Sequence, residues 1–232
     1  MNPSTISVEQ IAAENQRYIV KVYSWMCLAM IITGGVAMYT ASSDSVSNAI
    51  NSNPYIFYGL IILQFVAVGV LVRLINRMSA VVATIIFILY SVLFGLTLSF
   101  IFKVYTSESI ASTFFITAGT FGIMSAYGYL TKTDLTKWGN ILFMGVIGLV
   151  ISSLVNQFLL QSSLLYWITT CAGVLIFVGL TAYDTQKIKN ANIIGNEGSD
   201  DDHKESIIGA LILYLDFINM FLFLLRIFGR RK

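Results

Sequence analysis

The chain reads as an all-α membrane protein: a bundle of seven transmembrane helices forming one domain, 1–232. Three observations carry this. Of its 232 residues, 56% are hydrophobic and only 11% are charged, whereas a soluble domain carries about 25% charge. The apolar residues gather in runs of about 20, the length that crosses a hydrocarbon core. The gaps between runs are too short for a soluble domain. Strands of a closed barrel would alternate in polarity, so that architecture is excluded.

Taken in order, the runs cover 18–40, 55–74, 80–102, 110–130, 138–160, 164–183 and 207–225. The first follows a polar amphipathic stretch and lacks a small-residue cleavage site, so it is expected to be a span and not a leader. Trp25, Trp138, Trp167 and the tyrosines near run ends read as interfacial anchors. Gly122 with Ala126, and Gly148 with Ser152, stand four apart, a spacing that lets helix backbones approach. Cys27 and Cys171 fall inside apolar runs and read as reduced core residues.

Lys and Arg set the orientation. Arg17 and Lys21 flank the first run, Arg73 and Arg77 the second-to-third gap, Lys132 and Lys137 the fourth-to-fifth, and Lys187, Lys189 and Lys204 the sixth-to-seventh. The alternate gaps hold only Lys103. A cytoplasmic N-terminus follows. Arg226, Arg230, Arg231 and Lys232 then end on the opposite side if the seventh run spans, or return to the cytoplasm if it is re-entrant; seven spans is the favoured reading. The net charge of +2 gives no nucleic-acid footprint. His203, beside Asp200, Asp201 and Asp202, reads as a solvated loop residue. That acidic run lacks the spacing and closing Glu of an EF-hand loop.

Asp216 stands out because it sits in the lipid-like string IIGALILYLDFINMFLFLL, 207–225. A carboxylate at mid-bilayer costs at least about 2.5–3.5 kcal/mol and is normally protonated, paired or hydrated. Tyr214 and Asn219 lie near it in sequence, so an inward polar patch is expected. Asp184, beside Tyr183, ends the preceding run; it reads either as a surface acid at a helix end near Lys187 or as the partner of Asp216. Arg73 and Arg77 share a helix face on the same side of the membrane as Asp184, which leaves an arginine–carboxylate pair open. Gln64 and Asn156, polar residues at depth, either line a water path or bond across helices.

The strings GLTAYDTQKIK (179–189) and LYLDFINMFLFLLRIFG (213–229) resemble the Bax-inhibitor family of membrane proteins. INRMS (75–79), FGLTLSFIF (94–102) and LFMGVIGLVISSLVNQFL (142–159) are similar to its bacterial inner-membrane members. The resemblance implies a seven-helix bundle with a central C-terminal helix ringed by the other six. It also implies a pH-sensitive calcium leak whose sensor falls on Asp184 and Asp216, with an arginine latch on Arg77. An acid that some members carry on the second helix has no match here; Gln64 is the nearest polar residue.

Two function classes follow. The first is a cation leak gated by an aspartate pair that titrates as a unit. Calcium is the ion carried, two carboxylates give it only a weak site, and no cofactor is implied. The second is a non-conducting regulator that binds another membrane protein, such as a quality-control protease. Tyr183-Asp184 matches half of an intramembrane aspartyl protease signature, but the GxGD half is missing, so no enzyme is expected.

Overall fold

The computed structural model describes residues 7–232. Its elements are α1 (Val8–Ser42), α2 (Asp44–Ser52), α3 (Pro54–Leu74), a 3-10 turn (Ile75–Arg77), α4 (Ala80–Leu98), α5 (Ile101–Val104), α6 (Ser107–Leu130), α7 (Thr136–Val155), a π turn (Asn156–Leu160), α8 (Ser163–Ala191) and α9 (Asp200–Phe228). Among the described residues seven helices are long and apolar enough to cross a membrane, and there is no strand. The seven runs thus correspond to α1, α3, α4, α6, α7, α8 and α9.

Helix ends depart from the run ends where polar chemistry carries the helix onward. A capping box at Ser7 and Gln10 starts α1 ten residues before its apolar run. α8 continues past Asp184 to Ala191, and α9 begins at Asp200, so His203 and the three acids form its first turn and not a loop. Acids there suit the helix dipole. α9 is unbroken over 29 residues, about 44 Å at 1.5 Å per residue. A re-entrant segment would have to reverse inside the run, and α9 does not reverse.

The chain forms two compact units. Among the described residues the first comprises 7–104, 191–214 and 232; the second comprises 105–190 and 215–231. α9 therefore serves the first unit with its N-terminal half and the second with its C-terminal half. It is the most enclosed helix: 67% of its most apolar window is buried, against 6% for α7.

In the first unit α4 packs along α1 and α3 along α4. Tyr214 lies at the heart of the unit, edge-on to Phe87, Tyr90 and Phe94. Polar contacts tie α1 to the first turn of α9 and to the segment before it. Arg17 forks onto Glu197 at 2.6 and 2.8 Å, Lys21 reaches Asp202 at 2.9 Å, and Glu14 accepts the Gly195 amide at 2.7 Å. Asp200 accepts the Ala80 amide at the start of α4. The N-terminal flank and the segments that precede α4 and α9 thus share one end of this unit.

In the second unit Phe217 meets Phe114 and Phe121 edge-on, and Phe223 stacks on Phe177. Several sequence expectations are corrected here. Gly122 and Gly148 face open space, so neither pair brings helices together; the close approaches occur elsewhere. Cys27 and Cys171 are free but exposed, on outward faces and not in the core.

Candidate functional site

Asp184 sits seven residues inside the end of α8 and is 8% exposed; Asp216 lies mid-way along α9 and is 4% exposed. Both belong to the second unit. The reading of Asp184 as a surface acid fails because α8 continues for two more turns and buries it. The two carboxyl groups lie within hydrogen-bond reach of each other. Oδ2 of Asp216 is buried, and no protein donor among the described residues reaches it.

Two glycines let the backbone close around this site. At Gly128 on α6 a side chain would run into the backbone of Ala182 on α8. At Gly139 on α7 it would strike the ring of Tyr183. α8 is thereby held against α6 and α7 within two residues of Asp184. One residue further on, Thr185 and Ser125 exchange a buried hydroxyl bond of 2.8 Å. Gln186 receives the Leu135 amide and donates to the Thr133 carbonyl, and Lys189 donates to the Tyr129 carbonyl. Thr185, Gln186 and Lys189 thus bind α6 or the α6–α7 connection, which is why α8 outlasts its apolar run. On the α9 side Asp216 is followed by Phe217, wedged between Phe114 and Phe121.

The supporting residues read from sequence are divided among other tasks. Tyr214 belongs to the first unit and bonds Thr33 at 2.7 Å; Asn219 donates to the Leu215 carbonyl of its own helix. Among the described residues, neither of these bonds goes to Asp216. Residues two apart on a helix point about 200° apart, so Tyr214 cannot share Asp216's face. Tyr183 packs on Gly139 and carries the Lys187 ammonium 5.7 Å from its ring centroid. Gln64 bonds across helices, from α3 to the Leu93 carbonyl and the Thr97 hydroxyl of α4. Asn156 is not at depth: it shapes the α7–α8 turn, accepting from the Ser162 and Gln161 amides. Arg73 lies in the last turn of α3. Arg77 follows in the 3-10 turn after Leu74 leaves helical geometry, so the regular face expected to carry both is interrupted. Both are exposed, and among the described residues neither forms an ion pair.

Sequence reasoning missed Thr185 with Ser125, and the two glycines. Thr185 follows Asp184 directly, but hydroxyls in apolar runs are too common to single out. Two carboxyl groups side by side can share one proton, and together they gain or lose it as a unit. Among the described residues no group of three or more His, Cys, Asp or Glu side chains is placed to hold a metal ion. Of those side-chain types, a cation here would meet the aspartate pair.

The arrangement defines a multi-pass helical membrane protein with a buried pair of aspartates contributed by its last two long helices. The chain belongs to the Bax inhibitor family: the family profile described as inhibitor of apoptosis-promoting Bax1 matches residues 15–232. It is 53% identical to the inner membrane protein YbhL of Escherichia coli, covering 99% of this chain and 98% of that one. An uncharacterized protein of Borreliella burgdorferi is 42% identical over 97% of this chain and 96% of its own. An uncharacterized membrane protein of Streptococcus pyogenes serotype M6 is 35% identical over 99% of both.

Proposed function

We propose that this protein is a proton-gated cation leak of the bacterial inner membrane, with calcium as the ion carried and with no catalytic chemistry. The inner-membrane placement rests on the likeness to YbhL, and the N-terminus is placed in the cytoplasm by the Lys/Arg pattern. One observation carries the reading: Asp184 and Asp216, both buried, lie within reach of each other, with no other carboxylate partner among the described residues. In apolar surroundings two ionised carboxylates repel strongly, so a proton between them converts repulsion into a hydrogen bond. Each protonation state then favours a different packing of α8 against α9. Losing that proton loosens the helix pair and leaves negative charge that attracts a cation.

The test is calcium flux into proteoliposomes across a pH series. Asp184→Asn and Asp216→Asn should each flatten the pH response, and Arg77→Ala asks whether the arginine read as a latch acts with the pair. Unchanged flux and pH profile in all three variants would sink the gated-leak reading.

A second reading, a non-conducting regulator that binds another membrane protein such as a protease, draws on a separate observation. Gly119 and Gly122 of α6 and Gly34 and Gly35 of α1 all face open space. Small outward residues are what a partner helix needs for close approach. Crosslinking from cysteines placed at 119 and 122 would capture such a partner.

A further inference from the structure

We propose that the arginines at the end of α9 form a fixed docking surface for the phosphate headgroups of anionic phospholipids. Arg226, Arg230 and Arg231 fall within six residues, and all three are exposed. Among the described residues none of them forms an ion pair. Three cations with no carboxylate among them draw anions to the surface they share.

The chain here is pinned. The Thr106 amide donates to the Arg230 carbonyl at 3.0 Å, and the Arg230 amide donates to Ser109 Oγ at 3.0 Å. Arg231 pairs with Tyr105 in an antiparallel bridge. The Gly229 amide returns to the Leu225 carbonyl, ending the helix. The arginines therefore project from a backbone held against the start of α6.

Their surroundings select a lipid. The Arg226 guanidinium stands 5.1 Å from the Phe223 ring centroid and 5.8 Å from that of Tyr166. A tyrosine at the end of a span, as Tyr166 is at the start of α8, marks the headgroup level of a bilayer. A guanidinium fork matches two phosphate oxygens at once. A bilayer presents phosphate at this level, and basic groups beside an anionic membrane surface each strengthen attachment on the order of fivefold.

The test is native mass spectrometry of the purified protein in an uncharged detergent with equal amounts of phosphatidylglycerol and phosphatidylcholine. The parent should retain phosphatidylglycerol in several-fold excess, and R226Q/R230Q/R231Q should bring the two lipids close to parity. R226K/R230K/R231K should keep part of the preference, because charge remains while the fork is lost. K132Q/K137Q/K187Q removes the same charge elsewhere and should keep the full preference. A triple Gln variant with parental preference, or an equal loss in the lysine variant, overturns the proposal. So does displacement of the lipid by inorganic phosphate at equal concentration, which would make the patch a free-anion site. Should the triple Gln variant fail to fold, Arg230→Gln and Arg231→Gln singly must each lower the preference a few-fold.

Discussion

The hydroxyl of Tyr214 meets Oγ1 of Thr33 at 2.7 Å, and Thr33 in turn donates to the Ser91 carbonyl at 2.9 Å. A threonine has one hydroxyl hydrogen. Since that hydrogen goes to Ser91, the Tyr214 hydroxyl is the donor to Thr33. The bond joins α1 to α9 with both residues essentially buried.

Tyr214→Phe removes this donor and leaves the edge-on ring contacts in place. It should destabilise the protein by about 1 kcal/mol, the net worth of a buried neutral hydrogen bond. Thr33→Val should lower stability more, because the Ser91 carbonyl and the Tyr214 hydroxyl both lose their partner. Thermal unfolding in detergent checks this: the double variant should lose less than the sum of the single losses.

Gly128→Ala places a methyl group against the Ala182 backbone, which cannot swing aside as a side chain can. Overpacking of this kind costs about 1–3 kcal/mol. Gly122→Ala, on the same helix but facing open space, should stay within about 0.5 kcal/mol of the parent. Equal melting temperatures for the two variants would contradict the packing of α6 on α8.

Asp184→Asn and Asp216→Asn should be coupled in stability as well as in flux. An asparagine at either position donates its amide hydrogen to the remaining carboxylate and preserves the contact. The double variant should therefore differ from the sum of the singles by at least about 0.5 kcal/mol. Additive effects in that cycle would mean that the two groups do not interact.

The clasp between Arg17 and Glu197 should weaken in acid. Two hydrogen bonds from the guanidinium, with its charge, hold the Glu197 carboxyl below its ordinary value of 4.5. A group lowered on folding contributes stability above its unfolded value, and that contribution fades as pH falls through the folded value. Glu197→Gln should show no such contribution. In unfolding experiments from pH 7 to pH 3, the parent and this variant should converge as the pH drops; a constant gap would rule the clasp out as a source of pH dependence.

Topology can be mapped with reporters. Fusions after Ser45 should read periplasmic and those after Gly198 cytoplasmic. Because α9 is unbroken, a C-terminal reporter should read opposite to Gly198. Agreement between the last two would mean that α9 turns back.

The spans were legible because bilayer thickness imposes a length that apolar runs reveal directly. Asp216 was legible for the same reason, as a charge where lipid permits few. The ends of α8 and α9 were not, since hydropathy reports solvent and is silent on helix. Gln186 and Lys189 extend α8 by bonding neighbouring backbone, and only the structure supplies those partners. The three acids at 200–202 did carry a signal, because acids cluster in first helical turns, but their polarity read as loop. Gly122 and Gly128 differ by six positions on one helix and are chemically identical, so spacing alone could not tell the outward glycine from the packed one.

α9 has a mechanical consequence. Tyr214 and Asp216 are two residues apart on one continuous rod, pointing to nearly opposite sides, each engaged with a different half of the chain. A regular helix fixes the angle and the rise between two of its own residues. The step from Tyr214 to Asp216 is therefore set by the backbone hydrogen bonds of α9 alone, and one residue inserted between them would change both the angle and the rise.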